Sequence, residues 1–196
     1  SYRKIQNKSK KVYEANITIF NALKKSDFDK NGKYCVDRYI SAHAIMISME
    51  GVPAIYFNSL FGTSNDEAEF IITGNNRDIN RYKWNYRNIT RKLSNNKTKQ
   101  SIFYKSITKL LDIRKKQKAF HPNALRYDLN LGSKVFCFKR ISLDKKQIIY
   151  NITNLSSKSQ KLNFVDKFEK YKNLLGRPNI SHVLELKPYQ TLWLTN

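Results

Sequence analysis

One short apolar run, VPAIYF at residues 52–57, most constrains what this chain can fold into. Its length and its valine, isoleucine and aromatic residues predict a buried strand. Residues 33–50, just before it, carry apolar side chains around most of a helical circumference, and Gly51 is a typical helix terminator. Residues 101–116 repeat the helical period further on. A helix, a strand and a second helix in this order indicate part of a βα repeat.

A single strand with two helices cannot form a parallel sheet alone, because such a sheet is buried on both faces and needs neighbouring strands. The sequence begins with Ser1 and not with a methionine. We therefore expect the neighbouring strands of residues 52–57 to come from sequence upstream of Ser1. A (β/α)8 barrel fits this pattern, since its last strand is followed by a loop at the catalytic face and by a closing helix. Residues 58–100 are then predicted to be a long irregular loop at that face, with Ser101 as the N-cap of the next helix.

In the C-terminal part of the chain the apolar pattern changes to a period of two, which is typical of half-buried strands. Turn-forming residues such as Gly132, Asp144 and Gly176 separate these segments. Strands are expected at residues 124–129, 134–141, 147–154, 160–164 and 183–194. The sequence therefore predicts an α/β plus β architecture. Residues 1–120 would be the C-terminal portion of a (β/α)8 TIM barrel with active-site loops, and residues 121–196 a small antiparallel β-sandwich domain.

The formal net charge of +22 is extreme for a chain of this size. It could indicate a nucleic-acid-binding module, whose affinity would fall steeply as salt rises. The lysines are spread along the whole chain, however, and no DNA- or RNA-binding signature accompanies them. Lysine is abundant together with asparagine and isoleucine, which favours an AT-biased genome as the source of the charge. We therefore expect no nucleic acid partner.

The cysteines and histidines favour neither a disulfide nor a metal site. Cys35 and Cys137 lie far apart in apolar surroundings, which predicts free thiols in a reducing compartment. Together with His43, His121 and His182 they show no metal-ligand spacing, so no metal or other cofactor is expected. No signal peptide pattern and no apolar run of membrane-spanning length is present. We expect a cytoplasmic protein without a membrane partner.

Two arginines, Arg77 and Arg81, stand four residues apart in the polar stretch TGNNRDINRYKW, residues 73–84. A guanidinium offers a planar fork of donors that suits phosphate or carboxylate oxygens. Asp78 and Asn80 could orient the two arginines from behind. The arginines could equally pair with nearby acidic side chains and do no more than fix the loop.

Several stretches resemble the α-amylase superfamily of glycoside hydrolases, and within it the sucrose phosphorylase subgroup with its glucosylglycerate and sucrose-6-phosphate phosphorylases. In chain order they are VYEANITIFNAL, SMEGVPAIYFNSLFG, TGNNRDINR, LLDIRKKQKAFHPNA and LKPYQTLWL. The resemblance implies retaining cleavage of an α-glucosidic bond through a covalent glucosyl-enzyme, which phosphate converts to α-glucose 1-phosphate. The family's nucleophile, acid/base and third carboxylate all precede the first residue of this chain. None of the fifteen Asp and Glu residues here stands in a matching motif, so no catalytic residue is expected.

What the resemblance does place in this chain is the acceptor and phosphate side of the site. It implies that Tyr13, Glu14 and Arg77 contact acceptor or phosphate, with a sugar and inorganic phosphate as small-molecule partners. Sucrose phosphorylases tend to carry Gln where this chain has Glu14, which favours the glucosylglycerate or sucrose-6-phosphate relatives. The N-terminal barrel portion would be supplied by the same chain or by a split partner. A hydrolytic α-amylase-family glucosidase and an inactive remnant are the alternatives.

Overall fold

The structure is a computed structural model, and the chain divides into two compact units. The first unit consists of Ser1–Leu23 and Ile55–Tyr104, and the second of Lys24–Ala54 and Lys105–Asn196. The residues that the structure describes are 2–4, 10–163, 171–176 and 183–196, with side chains from residue 13 onward. The domain division predicted at residue 120 stays a prediction.

The helices are α1 (Ile19–Leu23), α2 (Cys35–Ser48), α3 (Glu67–Thr73), α4 (Tyr86–Ser94) and α5 (Lys99–Lys115). Short 3-10 helices lie at Phe57–Phe61, Asn76–Asn80 and Lys118–Phe120. The strands are β1 (Tyr2–Lys4), β2 (Lys10–Val12), β3 (Leu125–Asn130), β4 (Val135–Ile141), β5 (Ile148–Asn154), β6 (Gln160–Leu162), β7 (Lys172–Asn173), β8 (Leu184–Leu186) and β9 (Thr191–Thr195). The two long helices predicted from the apolar period are confirmed within two residues at each end.

The prediction of an irregular loop at residues 58–100 is wrong, because this stretch folds into a series of short helices. Polar side chains start the α-helices among them. Asp66, Asn85 and Thr98 each accept a hydrogen bond from the backbone N–H three residues on, at 3.2–3.3 Å. Thr98 rather than Ser101 is therefore the cap of α5, and the Ser101 hydroxyl donates to a carbonyl of α4 instead. Helices this short leave too few apolar repeats for a period to be read.

The strand predicted at residues 52–57 is also wrong in this structure. The segment has no strand partner among the described residues, and it ends in the 3-10 helix that begins at Phe57. Val52 is 81% exposed and Tyr56 55% exposed, so the expected burial is absent. Apolar and β-branched residues favour extended backbone, but a strand exists only where a second strand pairs with it.

Helix α2 begins on a charged turn with the sequence DFDKNG, residues 27–32. Both carboxylate oxygens of Asp29 accept backbone hydrogen bonds, from Lys33 N–H at 2.9 Å and from Tyr34 N–H at 3.0 Å. The same carboxylate forms a buried ion pair with Arg38, one turn into the helix. These contacts satisfy backbone donors that the start of a helix leaves without partners.

Helix α2 ends against two buried arginines that form no ion pair with any carboxylate in the described part of the chain. Arg140 of β4 is fully buried and donates to the carbonyl oxygens of Ser48, His121 and Ala124 at 2.7–3.0 Å. Arg114 of α5 donates to the carbonyls of residues 47, 49 and 51. The last carbonyls of a helix lack intrahelical donors and form its negative end, so two guanidinium groups satisfy and stabilise it. Burial lowers the pKa of Arg140 to about 10.

The second unit is built on a five-stranded antiparallel sheet in the order β3-β4-β5-β9-β7, beside a two-stranded sheet of β6 and β8. One face of the larger sheet packs with the smaller sheet into a core. On the other face the register aligns Phe138 with Asn151 and Asn151 with Trp193, and Phe120 packs edge-on against Trp193. The first core consists of Val135, Cys137, Ile152, Leu162, Leu184, Leu186, Leu192 and Leu194.

Period-two alternation predicted β3, β4, β5 and β6, but β7 was not predicted. The single strand expected at residues 183–194 is divided into β8 and β9 by a turn at Lys187–Gln190, in which Tyr189 has a positive φ of 53°. Residue 164, the expected end of β6, lies outside the described residues. Cys35 and Cys137 are buried free thiols, as predicted. No described helix has the length and apolar character needed to cross a membrane.

Candidate functional site

The structure brings together three residues of the first unit that the sequence singled out: Tyr13, Glu14 and Arg77. The Glu14 carboxylate accepts two hydrogen bonds from Arg77, from Nε to Oε1 at 2.9 Å and from Nη2 to Oε2 at 3.2 Å. The Tyr13 side chain lies close enough to Arg77 to contribute, after Glu14, to the raised pKa of its guanidinium. Glu14 and Arg77 are 63 residues apart in the chain. The cluster is therefore made by the fold and not by local sequence.

Glu14 and Arg77 keep each other charged. The Arg77 hydrogen bond, with a second one from Asn16 Nδ2 at 3.0 Å, lowers the pKa of Glu14 from 4.5 to about 2. Glu14 in turn raises the pKa of Arg77. The side chains are 30% and 48% exposed, so solvent screens the pair and its contribution to stability is small. An accessible pair of this kind can exchange part of its hydrogen bonding for a ligand.

The backbone that presents Arg77 is fixed on both sides. Gly74 ends α3 in the left-handed conformation, with φ 66°. Asn75 Oδ1 then accepts a hydrogen bond from Arg77 N–H at 3.2 Å and starts the 3-10 helix. Asp66 N–H donates to Ile79 C=O at 2.7 Å, which ties that helix to the start of α3. The stretch TGNNRDIN is thus a turn whose shape is determined by its own glycine and asparagine.

The Asp78 carboxylate forms no hydrogen bond with the side chain of either arginine in this structure, although the Asp78 carbonyl accepts one from Arg81 N–H at 3.1 Å. Its Oδ2 accepts a hydrogen bond from the Thr73 hydroxyl at 2.8 Å, because the Gly74 turn returns the chain toward the end of α3. The orienting role predicted for Asp78 thus has no counterpart here. The alternative, in which the arginines pair with acidic residues of this stretch, has no counterpart either. Asp66 caps α3, and Arg77 pairs with Glu14.

Asn80 and Arg81 lie in the wall of a polar cavity of about 370 Å³ that also contains the Glu14–Arg77 pair. A smaller cavity of about 160 Å³ shares Asn80 and reaches the buried Asn58, whose Oδ1 has no hydrogen-bond partner. The larger cavity is lined by Glu14, Ala15, Asn16, Arg77, Asn80 and Arg81. The structure therefore gathers five of the six predicted site residues, and Asp78 is the one that faces elsewhere.

Sequence reasoning missed three asparagines near the site: Asn65 and Asn21 connect the segment after Glu14 to the start of α3, and Asn58 holds the backbone at Tyr82. Asn65 Oδ1 accepts a hydrogen bond from Thr18 N–H at 2.8 Å, and Asn21 Oδ1 accepts one from Asn65 N–H at 3.1 Å. Asn58 Nδ2 donates to Tyr82 C=O at 2.9 Å. The only signal in the sequence is that single asparagines interrupt the apolar runs NITIFN and YFNSLFG.

The arrangement is suited to binding and not to proton transfer. A carboxyl group with a pKa of about 2 is ionised at neutral pH and cannot act as a general acid there. A phenol, a carboxylate and a guanidinium together can bind hydroxyl groups and anionic oxygens. Within the described ranges no group of three His, Cys, Asp or Glu residues is placed to hold a metal ion.

Comparison with known proteins identifies relatives over nearly the whole chain, although no family model matches it. Glucosylglycerate phosphorylase of Escherichia coli (strain K12) is 34% identical over 189 residues, which is 93% of this chain and 32% of the relative. The chain is related to the glucosylglycerate and sucrose phosphorylases. A second glucosylglycerate phosphorylase, from Spirochaeta thermophila, is 30% identical over 78% of this chain and 26% of its own length. Sucrose phosphorylase from Agrobacterium vitis is 31% identical over 56% of this chain and 20% of the relative.

The resemblance read from the motifs is thereby confirmed, and the chain spans about a third of the length of the curated relatives it matches. Solved structures agree at the level of the fold. Trehalose-6-phosphate hydrolase of Bacillus licheniformis has a TM-score of 0.62 at 17% identity, over 87% of this chain and 40% of that chain. A MutB mutant in complex with glucose has a TM-score of 0.64 at 13% identity, over 93% of this chain and 42% of that chain. Both are α-amylase-family barrel enzymes, and enzymes of this group match over their C-terminal part.

Proposed function

We propose that this chain is the C-terminal segment of a retaining α-glucosyl phosphorylase. The complete protein would transfer glucose from sucrose or a related α-glucoside to phosphate and release α-glucose 1-phosphate. The observation that carries this proposal is the 34% identity to a glucosylglycerate phosphorylase over 93% of the chain. Phosphorylases rather than hydrolases are the curated relatives at this level, which favours phosphate over water as the final acceptor.

The architecture that supports this proposal has two parts. Residues 1–120 would be the end of the (β/α)8 barrel with its active-site loops, and residues 121–196 the antiparallel sandwich. The segment at residues 52–57, which forms no strand in this structure, would become the last barrel strand beside the N-terminal barrel portion. Its exposed apolar side chains support that assignment, because a barrel strand is covered only when neighbouring strands and helices are present. The N-terminal barrel portion, in the same chain or in a split partner, would supply those neighbours.

The two portions would divide the chemistry between them. The catalytic carboxylates belong to the N-terminal portion, so the isolated segment is inactive. Tyr13, Glu14 and Arg77 would form the acceptor and phosphate side of the site. Arg77 has five N–H donors and Glu14 takes two of them, which leaves further donors for a phosphate oxygen. Asn80 and Arg81 would line the same subsite, and Asp78 would hold the turn through Thr73.

The small-molecule partners of this reaction would be the sugar and inorganic phosphate, and neither step of such a double displacement requires a cofactor. We infer a cytoplasmic location. The two buried unpaired cysteines support a reducing compartment, and burial raises the pKa of the Cys137 thiol to about 12, which keeps it unreactive.

The decisive experiment uses the complete protein that contains this segment. Incubated with glucosylglycerate or sucrose, it should release α-glucose 1-phosphate only when inorganic phosphate is present. Release of free glucose alone in the presence of phosphate would contradict the proposal and favour a hydrolase. The segment alone, assayed beside it, should release neither product.

A further inference from the structure

A cavity of about 630 Å³ opens in the second unit between the end of α5 and the turn that joins β4 to β5. Leu111 and Phe120 contribute apolar side chains to its wall. Val52 and Leu143 also line it, and they are 81% and 60% exposed. Large apolar side chains that are this exposed around one cavity mark a surface that another part of a protein covers.

The walls of this cavity rest on fixed backbone. Arg114 Nη2 donates to Gly51 C=O at 2.7 Å, directly before Val52. The β4–β5 turn is closed by Ser142 N–H, which donates to Gln147 C=O at 2.9 Å. The exposed apolar side chains therefore belong to a preformed surface, and a preformed surface binds its partner with little loss of backbone entropy.

The cavity is continuous with the segment at residues 52–57, since Val52 and Pro53 belong to both. This segment forms no strand among the described residues. The chain spans 32% of the Escherichia coli glucosylglycerate phosphorylase, and solved enzymes of the group match over their C-terminal part. In a protein of that length most of the chain would precede this segment, and it would run close to the cavity wherever it pairs with residues 52–57.

We propose that an apolar segment of the N-terminal barrel portion occupies this cavity and contacts Val52 and Leu143 together. This inference rests on the proposed function, in which that portion pairs with residues 52–57. It adds a second contact, because Leu143 lies in the β4–β5 turn of the sandwich part and not in the barrel. The sandwich would then bind the N-terminal portion directly, in addition to the last barrel strand.

The charges at the cavity rim indicate the chemistry of the occupant. Lys115 pairs with Asp112 at 2.9 Å, and Lys118 pairs with Asp144 at 3.0 Å. Lys116 is exposed at the same rim and forms no ion pair in the described part of the chain. We therefore expect an acidic side chain beside the apolar residues of the occupant. A second copy of this chain fits poorly, because a two-fold interface would place two lysine-rich rims against each other.

The first test uses a photo-crosslinking residue in the complete protein. p-Benzoylphenylalanine is placed at Leu143 and, as a matched control, at Leu155, which is 48% exposed in the same unit and does not line the cavity. After irradiation, mass spectrometry of the digested protein should show a crosslink from position 143 to a peptide upstream of Ser1, and none from position 155. A crosslink only to residues 1–196, a crosslink to a second molecule, or no crosslink from position 143 would overturn the proposal.

The second test compares Leu143→Asp with Leu155→Asp in the complete protein. A charge placed in a covered apolar cavity should lower the Tm by roughly 4 °C or more, whereas a charge at the exposed control position should shift it by about 1 °C. Equal shifts would contradict a covered cavity. Neither test requires turnover, so both remain separate from the assay for glucose 1-phosphate. A crosslink in a protein that releases only free glucose would support the docking surface and contradict the phosphorylase.

Discussion

The first and second units use arginine in opposite ways. In the first unit Arg77 is half-exposed, pairs with a carboxylate and lines a polar cavity. In the second unit Arg140 and Arg114 are buried and donate to backbone carbonyls at the end of α2. An arginine–carboxylate ion pair in solvent contributes little to stability and can exchange part of its hydrogen bonding for a ligand. A buried carbonyl oxygen that loses its donor lowers the free energy of unfolding much more. The environment of the guanidinium, and not the residue type, distinguishes a binding role from a structural one.

The largest effect that this comparison predicts is the loss of stability in Arg140→Met. The substitution removes the guanidinium donors of three carbonyl oxygens: those of Ser48 and Ala124 lose their side-chain donor, and that of His121 keeps only the hydrogen bond from Ala124 N–H at 2.9 Å. We expect the free energy of unfolding to fall by about 3 kcal/mol or more, since each unsatisfied buried acceptor costs roughly 1–3 kcal/mol. Thermal and urea unfolding of the complete protein would measure it. A loss below about 1 kcal/mol would mean that water replaces the guanidinium and would remove the contrast between the units.

Arg77→Gln should affect ligand binding strongly and stability little. We expect the KM for phosphate, or for the acceptor, to rise roughly 10- to 100-fold with the loss of a charged donor. The free energy of unfolding should change little, because the pair is exposed to solvent. Steady-state kinetics and thermal unfolding of the same preparation give both values. A large loss of stability with unchanged KM would make Arg77 a structural residue like Arg140.

Glu14 should show its charge state directly. Its pKa in the folded protein is lowered to about 2, so the stabilisation from the pair is complete above its ordinary pKa and is lost as the pH falls toward 2. Carbon-detected NMR should accordingly show no titration of the Glu14 carboxyl between about pH 4 and 6, where an ordinary Glu titrates near 4.3. In Arg77→Gln the Glu14 pKa should return toward its usual range. A normal titration in the wild type would show that the pair is not formed.

The smallest effect is expected for Asp78→Asn. The Asp78 carboxylate accepts a hydrogen bond from the Thr73 hydroxyl on an exposed surface and none from the side chain of either arginine. The KM for phosphate and for the acceptor should change less than about twofold, in keeping with the small effect of surface substitutions. An effect as large as that of Arg77→Gln would show that Asp78 orients the arginines after all, as the sequence suggested.

The success of sequence reasoning depended on how long and how regular each element is. Helix α2 and helix α5 have 14 and 17 residues, enough for a clear apolar period. The strands of the second unit alternate cleanly, but Arg140 at a buried position of β4 breaks the rule that charged residues face solvent. Its partners come from α2 and from residues 121 and 124, and only the fold brings these carbonyls together.

Composition and resemblance indicated the residues of the candidate site, but they did not predict the hydrogen bonds between them. The spacing of Arg77 and Arg81 indicated an anion site, and the resemblance added Tyr13 and Glu14. The bidentate contact between Glu14 and Arg77 spans 63 residues, so no local pattern could reveal it. The turn that directs Asp78 to Thr73 depends on the backbone of Gly74, which a list of polar residues does not describe.

The guanidinium of Arg140 also limits how modular the protein can be. Its acceptors, the carbonyls of Ser48, His121 and Ala124, lie on both sides of the division predicted at residue 120. A truncation at that division would leave Ser48 without its donor and Arg140 with two of its three acceptors. Exchange of the C-terminal part between relatives should therefore succeed only when the replacement brings an arginine to the same strand position. The hydrogen bonds of a single guanidinium therefore connect residues on both sides of the position where the sequence predicts a boundary.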